Sequence, residues 1–145
     1  MTVDVWMRWR EGAPPEDAAE TLSHAERSRY ESMRSAEAAR CFLSARSLVR
    51  DLLSEVSPNI PPDAWRFETN SNGKPYVVEP AEGRLLHFNV AHTDGFAIAL
   101  VSEVAVGVDV ENTTRQARVD KVARRFFAES EADWVLRMDD AEKRQ

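Results

Sequence analysis

A chain of 145 residues with 43% hydrophobic and 30% charged residues has room for one modest core, and its net charge of −6 argues against a general nucleic-acid binder. No apolar run approaches the roughly 18 residues of a membrane span, and the opening MTVDVWMRWREG lacks a basic-then-apolar leader pattern. The single cysteine, Cys41, excludes an internal disulfide, so a cytoplasmic protein with neither membrane nor nucleic acid as partner is expected.

Residues 2–9, TVDVWMRW, alternate as a strand does, and EGAPPEDAAE after them is loop material. Ser23-His24-Ala25-Glu26 is a capping box that opens a helix to about Arg34. Ser35 is the N-cap expected for a longer helix over 36–56, whose Ala39, Phe42, Leu43, Val49, Leu52, Leu53 and Val56 follow helical spacing. Arg46 and Arg50, four apart, are expected on its polar side. Residues 21–50 carry six arginines against three glutamates, a basic segment on an acidic protein. Such a segment suits a phosphate-rich ligand, and equally a solvated helix face with internal ion pairs. Cys41 falls inside the apolar helical pattern and reads as core.

Pro58, Pro61 and Pro62 stop that helix. Trp65–Thr69 and Tyr76–Val78 read as short strands joined through NSNGKP, with Lys74 at the exit of the turn. Three apolar runs follow: Leu85–His92, Phe96–Ser102 and Val104–Glu111. Thr93-Asp94-Gly95 separates the first two as a hairpin turn would. In the third run, valines at 104, 106, 108 and 110 alternate with Ala105, Gly107, Asp109 and Glu111. Strand spacing sets Asp109 and Glu111 on one face with Cα atoms about 7 Å apart. Two carboxylates so placed suit Mg²⁺, a hard ion that takes one or two protein carboxylates and keeps several waters. An isolated D-x-E is also common where a strand reaches solvent. As an antiparallel meander, the three runs would bring His92 to the edge that carries Asp109 and Glu111. Two helices are expected after a polar loop. One starts near Val119 with Val122, Ala123 and Phe126 inward. After a break near Phe127, Ser130 caps the other, with Trp134, Val135 and Met138 as its apolar side.

FNVAHTDG followed by GVDVE resembles the paired signature of the 4′-phosphopantetheinyl transferases, in the larger type that activates peptide and polyketide synthases. Gly73-Lys74-Pro75 is similar to that family's G-K-P turn, and Phe126-Phe127 with Glu131 to its F-F-x-x-x-E segment. The resemblance implies an α+β fold of two similar, pseudo-twofold halves. Residues 1–103 would be the first half and 104–145 the incomplete start of the second. The family's W-x-x-K-E-[AS] motif is not among the 145 residues, so the chain is expected to be the N-terminal portion of a longer transferase.

The activity implied is Mg²⁺-dependent transfer of the phosphopantetheine arm of coenzyme A to a serine of an apo acyl or peptidyl carrier protein, releasing adenosine 3′,5′-bisphosphate. By the same resemblance Asp109 and Glu111 hold the metal, and Glu131 is a further acidic residue near it. Lys74 and Pro75 lie at the nucleotide. Arg46, in preference to Arg50, contacts the 3′-phosphate, and His92 and Arg29 approach the same group. Ala91 stands where many members have a serine, leaving only its backbone to donate. The alternative is a non-catalytic module that binds coenzyme A or a carrier protein.

Overall fold

The computed structural model describes residues 2–112 and 119–137. They fall into two compact bodies, one ending at Glu111 and one beginning at Asn112.

In the first body, β1 (Val5–Glu11), β4 (His87–Thr93) and β5 (Phe96–Ser102) form an antiparallel sheet in the order β1-β5-β4, and β2 (Arg66–Thr69) pairs with β3 (Pro75–Glu79) in a separate hairpin. Both neighbours of β5 are therefore taken, so the run Val104–Glu111 has no place beside it and the meander is excluded. No strand forms over Val104–Glu111 among the described residues. The valine alternation survives in the burial, with Val106, Val108 and Val110 half-buried while Asp109 and Glu111 are exposed.

Helix α1 (His24–Glu31) starts at the expected capping box: the Ser23 hydroxyl accepts from the Glu26 amide, and the Glu26 carboxylate accepts from the Ser23 amide. Helix α2 (Ala36–Val56) begins where the Ser35 hydroxyl accepts from the Ala38 amide at 3.2 Å, and it ends two residues before Pro58. Leu48, Val49, Leu52 and Leu53 on α2 are at most 2% exposed and pack with Trp65, Val77, Phe88, Ala97, Ala99 and Val101. Burying each such leucine or valine contributes about 1.5–3 kcal/mol. The small Ala97 and Ala99 of β5 leave room for the helix to lie close to the sheet.

The arginines of β1 face the same way. Arg10 donates to the Ser47 hydroxyl at 2.6 Å and to Asp51 at 2.9 Å, and Arg8 pairs with Glu55 at 3.2 Å. These bonds turn Val5, Met7 and Trp9 to the other side of the sheet, where they are exposed.

The second body contains α3 (Val119–Phe126) and α4 (Glu129–Arg137), which meet through Ala123, Ala132 and Val135. The break near Phe127 stands as expected, but the cap does not. Helix α4 starts at Glu129, one residue ahead of the expected Ser130 cap, and the Glu131 carboxylate accepts from the Ala128 amide at 3.1 Å. Phe126, expected inward, is 70% exposed, and Trp134 is 64% exposed. The buried contact between the two helices is made by Ala123, Ala132 and Val135 instead. Met138 lies outside the described residues, and the side chain of Val122 does as well.

Candidate functional site

The basic segment folds into a column of alternating arginines and aromatic rings. The guanidinium carbons of Arg29 and Arg46 lie over the Phe42 ring, 5.4 and 5.5 Å from its centroid. Those of Arg46 and Arg50 lie over the Phe67 ring at 5.8 and 4.7 Å. Phe67 in turn packs against Phe88 of β4 with centroids 5.0 Å apart. One carboxylate serves this column. Glu26 accepts from Arg50 Nη2 and, at 3.4 Å, from Arg50 Nη1, and its Oε1 is 3.5 Å from Arg46 Nε.

Arg50 is not on the polar side of α2, where the four-residue spacing set it. It is fully buried and also donates to the Trp65 carbonyl at 3.2 Å. A charge with no exposure needs a fixed partner, and Glu26 supplies it. Arg46 keeps 17% side-chain exposure, and its Nη1 is a buried donor with no hydrogen-bond partner. Arg29 is exposed. Arg46 and Arg29 are therefore the members of the column able to reach a ligand, and Arg50 is part of its foundation.

Charge distribution follows from this packing. Burial raises the Glu26 carboxyl, but the Arg50 charge, the Ser23 amide and Arg46 outweigh it and hold it below the usual glutamate value. Burial pushes the Arg46 guanidinium down. Glu26 opposes that shift, and Arg50 and Arg29 add to it.

The G-K-P turn is built by Asn70, whose side-chain oxygen accepts from the Asn72 amide at 3.0 Å and the Lys74 amide at 2.9 Å. Gly73 takes φ +79°, a conformation open to glycine, and Pro75 begins β3. Lys74 is not a free surface lysine. Its Nζ donates to the Val106 carbonyl at 3.1 Å, and the Asn89 side chain on β4 accepts from the Val108 amide at 3.2 Å. Two polar ties thus fasten the segment before Asp109 to the G-K-P turn and to β4. Asn89 was not singled out in the sequence, because an asparagine inside a strand gives no sign of a distant partner.

Asp109 and Glu111 are both exposed, and Asp109 Oδ1 accepts from the Val110 amide at 2.9 Å. Two exposed carboxylates two residues apart fit a hydrated Mg²⁺ as its donor set. Among the described residues no group of three or more His, Cys, Asp or Glu side chains converges as a metal site. His92 and Ala91 lie near the end of β4, in register with Ala97 and Ile98 of β5. Alternation puts His92 on the face that carries Phe88 and Val90, the face covered by α2, and Ala91 on the other. Glu131 belongs to the second body, where it is exposed and caps α4. Cys41 is half-buried, with Sγ 3.9 Å from the Thr93 carbonyl, and burial followed by Glu37 and Asp94 pushes its thiol up. That is the reverse of an activated nucleophile. No described helix is long and apolar enough to cross a membrane.

The family model of the 4′-phosphopantetheinyl transferase N-terminal domain matches residues 9–105. The chain is 36% identical over 89 residues to the 4′-phosphopantetheinyl transferase gsp of Aneurinibacillus migulanus, a match covering 61% of this chain and 34% of that protein. It is 29% identical over 132 residues to the 4′-phosphopantetheinyl transferase HetI of a Nostoc species, covering 90% and 55%. The chain thus spans about a third to just over half the length of these relatives. A holo-(acyl-carrier-protein) synthase from Bacillus anthracis, solved in complex with coenzyme A (3′,5′-ADP), shares the fold at a TM-score of 0.54 and 16% identity, over 68% of this chain and 92% of that one. With the family model running from β1 through β5 and across both the G-K-P turn and the arginine column, the chain belongs to the 4′-phosphopantetheinyl transferase family.

Proposed function

We propose that this chain provides the coenzyme A-binding part of a transferase that moves 4′-phosphopantetheine to a serine of an apo carrier protein. In that reaction the serine oxygen bonds to the phosphorus bearing the pantetheine arm, and adenosine 3′,5′-bisphosphate leaves with the electrons of the broken P–O bond. Such chemistry depends on positioning and on neutralising charge at the diphosphate. The observation that carries the proposal is the pair of ties from Lys74 and Asn89 to Val106 and Val108, which fix the carboxylate segment beside the G-K-P turn.

Each residue then has a task. Arg46 and Arg29 meet the 3′-phosphate, where a planar guanidinium can donate two hydrogen bonds at once. His92 assists them, and the backbone at Ala91 serves where a side-chain donor is missing. Lys74 and Pro75 line the nucleotide end. Asp109 and Glu111 would hold Mg²⁺, which when bound offsets the charge of the diphosphate oxygens. Glu131 is the further carboxylate. Read this way, residues 1–103 contribute the nucleotide contacts and 104–145 the acidic ones.

The test is a mass-shift assay on an apo carrier protein with coenzyme A, with Mg²⁺ and with a chelator in its place. A pantetheine-sized mass gain that needs the metal supports the proposal. Tight coenzyme A binding without any gain would favour the second reading, a binding module.

A further inference from the structure

We propose that Phe42 is a positioning residue that sets Arg29 and Arg46 for the 3′-phosphate of coenzyme A, an inference that rests on reading Arg46 as a ligand of that phosphate. Among the described residues the column contains three guanidiniums and one carboxylate, an excess of positive charge before any ligand arrives. Glu26 meets Arg46 and Arg50. Among the described residues Arg29 has no carboxylate partner within 4 Å. What Arg29 and Arg46 share is the Phe42 ring.

That ring is itself fixed. Phe42 is half-buried and packs against the small core of Ala18, Leu22 and Leu43. An aromatic face carries negative quadrupole density, which attracts a guanidinium and softens the repulsion between two that approach each other. It also narrows the rotamers of two long side chains, so less order has to be imposed when the phosphate binds. Arg46 Nη1 and Arg50 Nε both lack a partner, but only Arg46 keeps side-chain exposure, so it is the one whose spare donor fits a ligand. Burial and the neighbouring Arg50 and Arg29 make the charge of the Arg46 guanidinium costlier to hold, against the opposing pull of Glu26, and a bound dianion would offset that cost.

A merely structural Phe42 would serve equally well as another apolar side chain of similar size. Phe42→Leu keeps the apolar contact with Ala18 and Leu22 and removes the ring. In equilibrium titrations of the chain, this variant should bind coenzyme A about threefold to tenfold more weakly, the scale of having to order one long side chain on binding, with dephospho-coenzyme A affinity unchanged. Phe42→Tyr, which keeps a ring, should restore the preference for coenzyme A. Folding is checked by circular dichroism, and Phe42→Met replaces Phe42→Leu if the latter does not fold. Equal weakening for both ligands, or no weakening of either, would overturn the role of Phe42. Arg46→Ala is measured alongside. If it fails to reduce the preference for coenzyme A, the reading of Arg46 fails first and the inference with it. If Arg46→Ala reduces the preference and Phe42→Leu does not, only the inference fails. Absence of coenzyme A binding by the unaltered chain would overturn both.

Discussion

The Glu26 carboxylate that caps α1 is also the partner of Arg50, a guanidinium with no exposure on the neighbouring helix. One side chain therefore starts a helix, fastens it to α2 and neutralises the buried end of the arginine column. Removing it leaves an uncompensated charge in the core. Glu26→Ala should lower stability by roughly 3–5 kcal/mol, read as a drop in the denaturant midpoint. A loss below about 1 kcal/mol, the value of a cap alone, would show that the Arg50 pair contributes little.

The same pair gives the molecule an acid limit. Glu26 titrates lower in the folded chain than in the unfolded one, so its contribution is complete above the unfolded value, about 4.3, and is lost as pH falls through the folded value. Stability should therefore decline below about pH 4, and Glu26→Gln should show a shallower decline over the same range. Parallel curves for the two proteins would contradict this.

Arg46→Ala should weaken coenzyme A about tenfold or more, the value of a charge-assisted hydrogen bond of roughly 1.5–3 kcal/mol. Dephospho-coenzyme A, which lacks the 3′-phosphate, should be little affected. Calorimetric titration with the two ligands decides it.

Lys74→Met keeps much of the apolar stem and removes the donor to the Val106 carbonyl. The segment leading to Asp109 should loosen, read as faster amide hydrogen exchange over residues 104–110 with no change in α2. Unchanged exchange would mean that the Asn89 tie holds the segment alone.

Asp109→Ala should abolish Mg²⁺-dependent transfer wherever the complete site is assembled, with the thermal midpoint unchanged. The residue is exposed, and among the described residues its carboxylate accepts only from the adjacent Val110 amide. Normal modification of a carrier protein by the variant would remove Asp109 from the metal site.

Local chemistry was legible in the sequence wherever it acts over a few residues. The Ser23–Glu26 capping box, the Ser35 cap and length of α2, the Asp94-Gly95 turn and the NSNGKP hairpin all formed as the pattern indicated. The ordered motifs also sufficed to identify the family, which the match over residues 9–105 bears out. Tertiary structure decided what depends on partners far apart in the chain. Pairing of β1 with β5 filled the edge that a strand over Val104–Glu111 would have needed, and a strand forms only where another backbone supplies its hydrogen bonds. Helical spacing placed Arg50 beside Arg46, yet only the arrival of Glu26 and the Trp65 carbonyl made burying Arg50 tolerable. Phe42 read as an ordinary core residue and Phe67 only as part of a short strand, because the rings meet their arginines across α1, α2 and β2, a distance that no local pattern encodes.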